Sequence, residues 1–182
     1  MPFPQGSSKK IQNWFKEKGI IIPSDFIDKA ELYNDLITSW SARMNIVSKN
    51  DLGFLLERHI LDSLTPINFI PEAGRLIDIG SGGGFPAVPI ALIRPRLEIT
   101  LLESQHKKIL FLKEIQRRLE LKNISIVESR LEKFESDIPF DIATVRALPQ
   151  WENYIQRIKD ILAASGKIIY YEKRGEYCLI AK

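Results

Sequence analysis

One short stretch constrains this chain more than any other: Leu76-Ile77-Asp78-Ile79-Gly80-Ser81-Gly82-Gly83-Gly84-Phe85-Pro86. An apolar strand runs into four glycines, and the proline that follows suits the first turn of a helix. Glycine lets the backbone approach a ligand closely and adopt positive φ. The helix start adds free N–H groups and a partial positive charge. In an open parallel sheet this strand-to-helix turn lies at the ligand crevice. A tight turn without a ligand is the plain alternative, but four glycines in five positions cost more chain entropy than a turn requires.

The flanking pattern fits that placement. Before Gly74 the chain reads as helical. Ile11, Trp14 and Phe15 share one face of a first helix over Lys9–Lys18. Ser24 is placed as the N-cap of a second helix, with Phe26, Ala30, Tyr33, Ile37 and Trp40 at a 3.6-residue period. A third helix is expected over Asp51–Ser63, with Leu52, Leu55, Leu56, His59 and Ile60 inward. After Gly74 strands alternate with helices. The strands are expected at Arg75–Ile79, Glu98–Leu102, Ile124–Val127, Ile142–Val145 and Lys167–Tyr171. The helices follow Pro86 to about Ile93, then Gln105–Leu119, then Trp151–Ala163, the last ended by Ser165-Gly166. That alternation means a parallel sheet covered on both faces, and right-handed crossovers make it doubly wound and Rossmann-like. The expectation is one α/β domain over residues 1–182, with a helical layer over 1–65 and a cofactor-binding core over 75–182.

Composition excludes several classes. At 182 residues with 45% apolar content the chain can bury a full core without disulfides or a structural metal. Cys178 is the single cysteine and His59 and His106 the only histidines, so no zinc cluster with cysteine spacing exists. No apolar run approaches the ~18 residues of a membrane span, and MPFPQGSSKK carries no secretory h-region. A soluble, cytoplasmic, membrane-free protein is expected, with a monomer as the default. The net charge of +3 permits nucleic-acid binding without demanding it.

The spacing narrows the ligand. A dinucleotide fingerprint reads G-x-G-x-x-G/A. Counted from Gly80, its last position is Phe85, and the observed order is G-x-G-x-G with Asp78 two residues ahead. Glu103 ends the second strand, where a carboxylate can accept hydrogen bonds from both hydroxyls of a ribose, as in adenosine cofactors generally. These features favour S-adenosyl-L-methionine over NAD and leave both open.

Further segments in order carry a family resemblance. Arg58-His59-Ile60-Leu61-Asp62-Ser63, the loop Gly80–Pro86, Arg94-Pro95, Glu103-Ser104 with Lys107-Lys108, Ser129-Arg130-Leu131-Glu132 and Val145-Arg146-Ala147 resemble the RsmG (GidB) family. Members are class I S-adenosylmethionine-dependent methyltransferases that methylate N7 of a guanine in 16S (small-subunit) ribosomal RNA. The likeness spans roughly Asn45–Lys173. It implies that Gly80, Gly82 and Phe85 contact the cofactor, that Leu131 and Glu132 lie beside its adenine, and that Arg146 sits in the active-site region. Arg130 and Lys107 match basic positions assigned to substrate or catalysis, and Lys173 matches another. It also implies two strands after the fifth, paired as a hairpin. Here only Tyr177–Ala181 is available, so a shortened hairpin is expected.

The implied chemistry is modest. N7 of guanine has an in-plane lone pair and needs no deprotonation, so positioning replaces a general base. No Ser-His-Asp or paired-carboxylate constellation is visible. Lys107 and Lys108 at a helix start oppose the helix dipole, which suggests RNA phosphate contact, or else two solvated lysines. Arg130 and Arg146 follow the third and fourth strands, where an arginine can clamp a carboxylate or phosphate, or pair with Glu128, Glu132 or Asp141. His59 is expected to pack under the glycine loop rather than to catalyse. A dehydrogenase and a catalytically inactive RNA-binding module with the same fold remain as alternatives.

Overall fold

A computed structural model of the chain describes residue 3, residues 6–172 and residues 175–182. Its centre is strand β1 (Ala73–Ile79), which pairs in parallel with β2 (Arg96–Glu103) on one side and β4 (Phe140–Arg146) on the other. Strands β3 (Ile124–Glu128) and β5 (Leu162–Tyr171) extend the sheet outward. Strand β6 (Tyr177–Ala181) closes the far edge antiparallel to β5, giving the order β3-β2-β1-β4-β5-β6. The reversal of strand order beside β1 makes a switch point at its C-terminal end, where such sheets bind ligands. The glycine loop leaves β1 there.

Helices α3 (Ala87–Ile93) and α4 (His106–Arg118) share one core cluster with the N-terminal helices α1 (Ser7–Lys18) and α2 (Phe26–Ser41). All seven residues of α3 are buried, since it lies between the sheet and the N-terminal layer. Trp40 of α2 meets Phe111 of α4 with ring centroids 5.3 Å apart. Burial of Phe26, Ala30, Tyr33 and Ile37 follows from their helical spacing. The other face of the sheet carries a second cluster, which includes Ile77, Ile79, Ala143, Val145 and Ile168 with Ile158 of the short helix α5 (Ile155–Asp160).

Four expectations need correction. The N-cap of α2 is Asp25, not Ser24. The expected third helix is a 3-10 turn over Lys49–Phe54 followed by a π-helical turn over Leu56–Leu61. Pro86 caps α3 from outside instead of opening it. The helix expected to run to Ala163 is a 3-10 turn at Trp151–Tyr154 and then α5, which ends at Asp160. Strand pairing wins there: Phe140 N–H donates to Ile161 C=O, and Leu162 pairs with Phe140 before Lys167 pairs with Ile142. Residues 163–166 therefore bulge opposite Asp141 alone, and Ser165-Gly166 lies inside the strand rather than at a helix end.

Candidate active site

The glycine loop is tied to the sheet by its own backbone. Gly80 and Ser81 N–H both donate to Leu102 C=O, at 2.8 and 3.1 Å, and Gly84 N–H donates to Ser81 C=O at 2.7 Å. Gly82 has φ +54°, and a Cβ placed there meets only Gly80 O at 3.7 Å, so the backbone faces open space. Gly84 has φ +90° for a different reason. A Cβ there would lie 2.7 Å from Val88 and 2.9 Å from the Tyr33 hydroxyl. Tyr33 itself donates to Gly83 C=O at 2.7 Å, so α2 pins the loop from behind.

Two cavities meet at Gly80. The first, about 280 Å³, is walled by Ile79, Leu102, Leu131, Leu148 and Tyr154, with Ser104, Ser129, Arg130 and Glu132 as polar groups. The second, about 210 Å³, is lined by the loop residues Ser81, Gly82, Gly83 and Phe85, by Ile46, Val47 and His59 from the N-terminal layer, and by Lys108, Arg146 and Ala147. The loop thus divides an apolar lobe with a polar rim from a smaller lobe bearing cations.

Glu103 acts on the loop from below. Its Oε1 accepts from Ser104 and Gln105 N–H, both at 2.8 Å, and its Oε2 accepts from Gly82 N–H at 2.9 Å. Three of about four carboxylate acceptor sites are used, so one remains for a ligand hydroxyl, not the two anticipated from sequence. The same carboxylate places a negative charge at the start of α4, which compensates Lys107 and Lys108 against the helix dipole. Their position is therefore electrostatically accounted for. Lys107 is exposed and Lys108 half-buried at the smaller lobe. His106 faces Glu128 at 3.0 Å.

Arg146, at the end of β4, is held by the segment that contains Arg58-His59-Ile60-Leu61-Asp62-Ser63. One Nη2 meets Asp62 Oδ2 at 2.8 Å and donates to Arg58 C=O at 2.9 Å, and Nη1 donates to Ser63 Oγ at 3.2 Å. Tyr171 donates to Ser63 C=O at 2.7 Å, and Gly175 N–H donates to Asp62 Oδ1 at 2.6 Å. The pair is largely buried, with Asp62 at 6% side-chain exposure. The π-helical turn is what presents Arg58 C=O and Asp62 to one guanidinium. Arg146 keeps Nε–H and one Nη1–H beyond these three bonds. The acidic partners that the sequence offered as an alternative, Glu128, Glu132 and Asp141, do not pair with it; Asp62 does. Arg130 is exposed at the rim of the larger lobe and makes no ion pair among the described residues. Lys173, expected to meet the RNA, lies outside the described residues.

Asp78 lies buried behind the loop. Its Oδ1 accepts from Thr144 Oγ1 at 2.6 Å, while Oδ2 has no partner among the described residues. Burial raises its pKa to about 7. The hydroxyls of Thr144 and Ser81 and the charge of Arg146 oppose the rise, and Glu103 adds to it. His59 packs on Phe85 with ring centroids 4.9 Å apart, and its Nε2 lies 3.9 Å from Asp51 Oδ2.

The sequence pattern missed several of these residues. Tyr33 looked like one more member of an apolar stripe. Asp62 and Ser63 sat in a recognised segment without a role. Ile46, Leu148 and Tyr154 line the cavities from turns whose shape no periodicity announces. Among the described residues no cluster of three or more metal-ligating side chains exists, and no helix is long and apolar enough to cross a membrane.

A mostly parallel sheet with this strand order, a glycine turn after β1 and an acidic residue closing β2 make the fold Rossmann-like, and the family match below makes it that of an S-adenosylmethionine-dependent methyltransferase. Among solved structures, precorrin-6y C5,15-methyltransferase from Geobacter metallireducens shares the fold with TM-score 0.53 at 18% identity, over 60% of each chain. A protein of Enterobacter sp. named ribosomal RNA small subunit methyltransferase G is 32% identical over 91% of this chain and 79% of its own. The protein of that name from Yersinia pseudotuberculosis is 36% identical over 81% of this chain and 71% of its own. The GidB family model, described as rRNA small subunit methyltransferase G, matches residues 26–178. The chain belongs to that family.

Proposed function

We propose that the protein transfers a methyl group from S-adenosylmethionine to N7 of a guanine in 16S ribosomal RNA, acting in the cytoplasm. The observation that carries this is the two-lobed cleft joined at Gly80, one lobe apolar with a polar rim and the other bearing Arg146 and Lys108. The residues suit the cofactor. Gly82 leaves open space at the loop, and the unpartnered Asp78 Oδ2 is a buried acceptor beneath it, which a nearby cationic ligand would stabilise as carboxylate. Gly80, Gly82 and Phe85 would hold the cofactor at the loop, with Leu131, Leu148 and Tyr154 giving its adenine apolar walls and Glu132 standing at the rim. Glu103 would accept one ribose hydroxyl while fixing the loop.

Bound S-adenosylmethionine supplies a methyl group activated on a sulfonium, and N7 accepts it without first losing a proton. The chain's own contribution is orientation. Arg146 is fixed by three acceptors and offers two N–H groups to the cofactor or the RNA. Asp62 neutralises Arg146, so the guanidinium opposes the cationic 7-methylguanine less than a bare charge would. In A-form RNA the deep major groove hides N7, so the target guanine enters from a loop or a splayed strand. Lys107, Lys108, Arg130 and Lys173 would meet RNA phosphates.

The test is transfer of labelled methyl from S-adenosylmethionine to small subunits, and to rRNA freed of protein, that lack the modification. Label in a 7-methylguanine of the small-subunit rRNA is expected. Label at another atom would overturn the N7 assignment. Tight cofactor binding with no label would favour an inactive RNA-binding module.

A further inference from the structure

Phe54 closes the 3-10 turn between Val47 and His59, two residues that line the cation-bearing lobe. It belongs to neither apolar cluster and is 49% exposed. Yet its ring is not loose. The Arg58 guanidinium covers one face at 3.9 Å from the ring centroid and is itself held by Asp51 Oδ1 at 2.9 Å and Asn50 C=O at 3.4 Å. Ser48 donates to the other Asp51 oxygen at 2.6 Å. An exposed aromatic ring is thus fixed in orientation by a hydrogen-bonded cation. The carbonyl of the same Arg58 accepts from Arg146, which connects the residue backing the ring to one that lines the smaller lobe. Arg43 and Lys49 stand exposed on the same segment and form no ion pair among the described residues.

We propose that Phe54, backed by Arg58, is a stacking platform for an unpaired base of the substrate RNA, adjacent to the guanine in the cleft. This rests on the RNA-methylating activity proposed above. An exposed planar ring on a segment whose ends line a site suits a base because every base has an apolar π-face. The cations alongside suit the phosphates that accompany it. A splayed guanine leaves its neighbours unstacked, and a preformed ring offsets that loss.

The test compares Phe54→Ala, Phe54→Leu and Phe54→Trp for direct binding of protein-free small-subunit rRNA, for KM and kcat in methyl transfer, and for S-adenosylhomocysteine affinity by calorimetry. Loss of one stacked base weakens RNA binding by about tenfold or more. Ala and Leu are expected to weaken binding and raise KM for RNA to that extent, leaving cofactor affinity unchanged, while Trp retains the wild-type values. Equal behaviour of Leu and the wild type would remove the need for a π-face and overturn the proposal. So would loss confined to assembled subunits with free rRNA unaffected, which would assign the ring to a protein partner. Failure of the wild type to methylate rRNA would instead count against the proposed activity, since platform binding is read separately.

Discussion

Asp78→Asn isolates the one carboxyl, among the described residues, whose pKa burial raises strongly. Its pKa rises from the ordinary 3.8 to about 7, which at about 1.4 kcal/mol per pH unit is worth about 4 kcal/mol in full. Between those values the folded state binds a proton that the unfolded state has lost, so stability falls as pH rises. The contribution is complete below pH about 4 and gone above pH about 7. Between pH 5.5 and 8.5 the wild type should lose about 2 kcal/mol through this group, and Asp78→Asn should lose none of it. Thr144 Oγ1 can still donate to the amide oxygen, so the shared hydrogen bond survives. Urea unfolding of both proteins at the two pH values measures the difference without needing the absolute stabilities. Parallel pH profiles would refute the argument, because they would mean that Asp78 titrates alike folded and unfolded. Saturation with S-adenosylmethionine should move the same titration to lower pH, since a bound cation favours the carboxylate.

Two other substitutions probe the supports of the site. Asp62→Asn leaves the Arg146 guanidinium largely buried without its counter-charge, and should cost about 3–5 kcal/mol in chemical denaturation and lower kcat for methyl transfer. Unchanged stability would reduce the pair to a surface contact. Tyr33→Phe removes the donor to the Gly83 carbonyl and should cost about 1–3 kcal/mol, with weaker S-adenosylhomocysteine binding by calorimetry. Wild-type affinity would show that the loop keeps its shape without α2.

The parts of this molecule that were legible in the sequence are those set by period and by glycine. Leu76, Ile77 and Ile79 before four glycines placed β1 and the crevice, and the spacing of Phe26, Ala30, Tyr33 and Ile37 placed the buried face of α2. The misread parts are those where pairing or turn geometry overrides propensity. Leu162 joins the sheet opposite Phe140 although the preceding residues favour a helix, and the π-helical turn at Leu56–Leu61 has the apolar content of an ordinary one. Glu103 was visible as an acid closing β2, but its use as a brace for Gly82, Ser104 and Gln105 depends on a loop path that residue types do not encode. The anchoring of Arg146 by Asp62 and Ser63 joins residues more than eighty apart, beyond any local pattern.

Capture of the cofactor depends on the bare backbone at Gly82 facing it. Calorimetric titration of the wild type and of Gly82→Val with S-adenosylhomocysteine and NAD, beside thermal melts of both, tests this most directly. The wild type should bind S-adenosylhomocysteine and not NAD, and the valine variant should melt as a folded protein but bind neither. Undiminished S-adenosylhomocysteine binding by a folded valine variant, or NAD binding by the wild type, would contradict it.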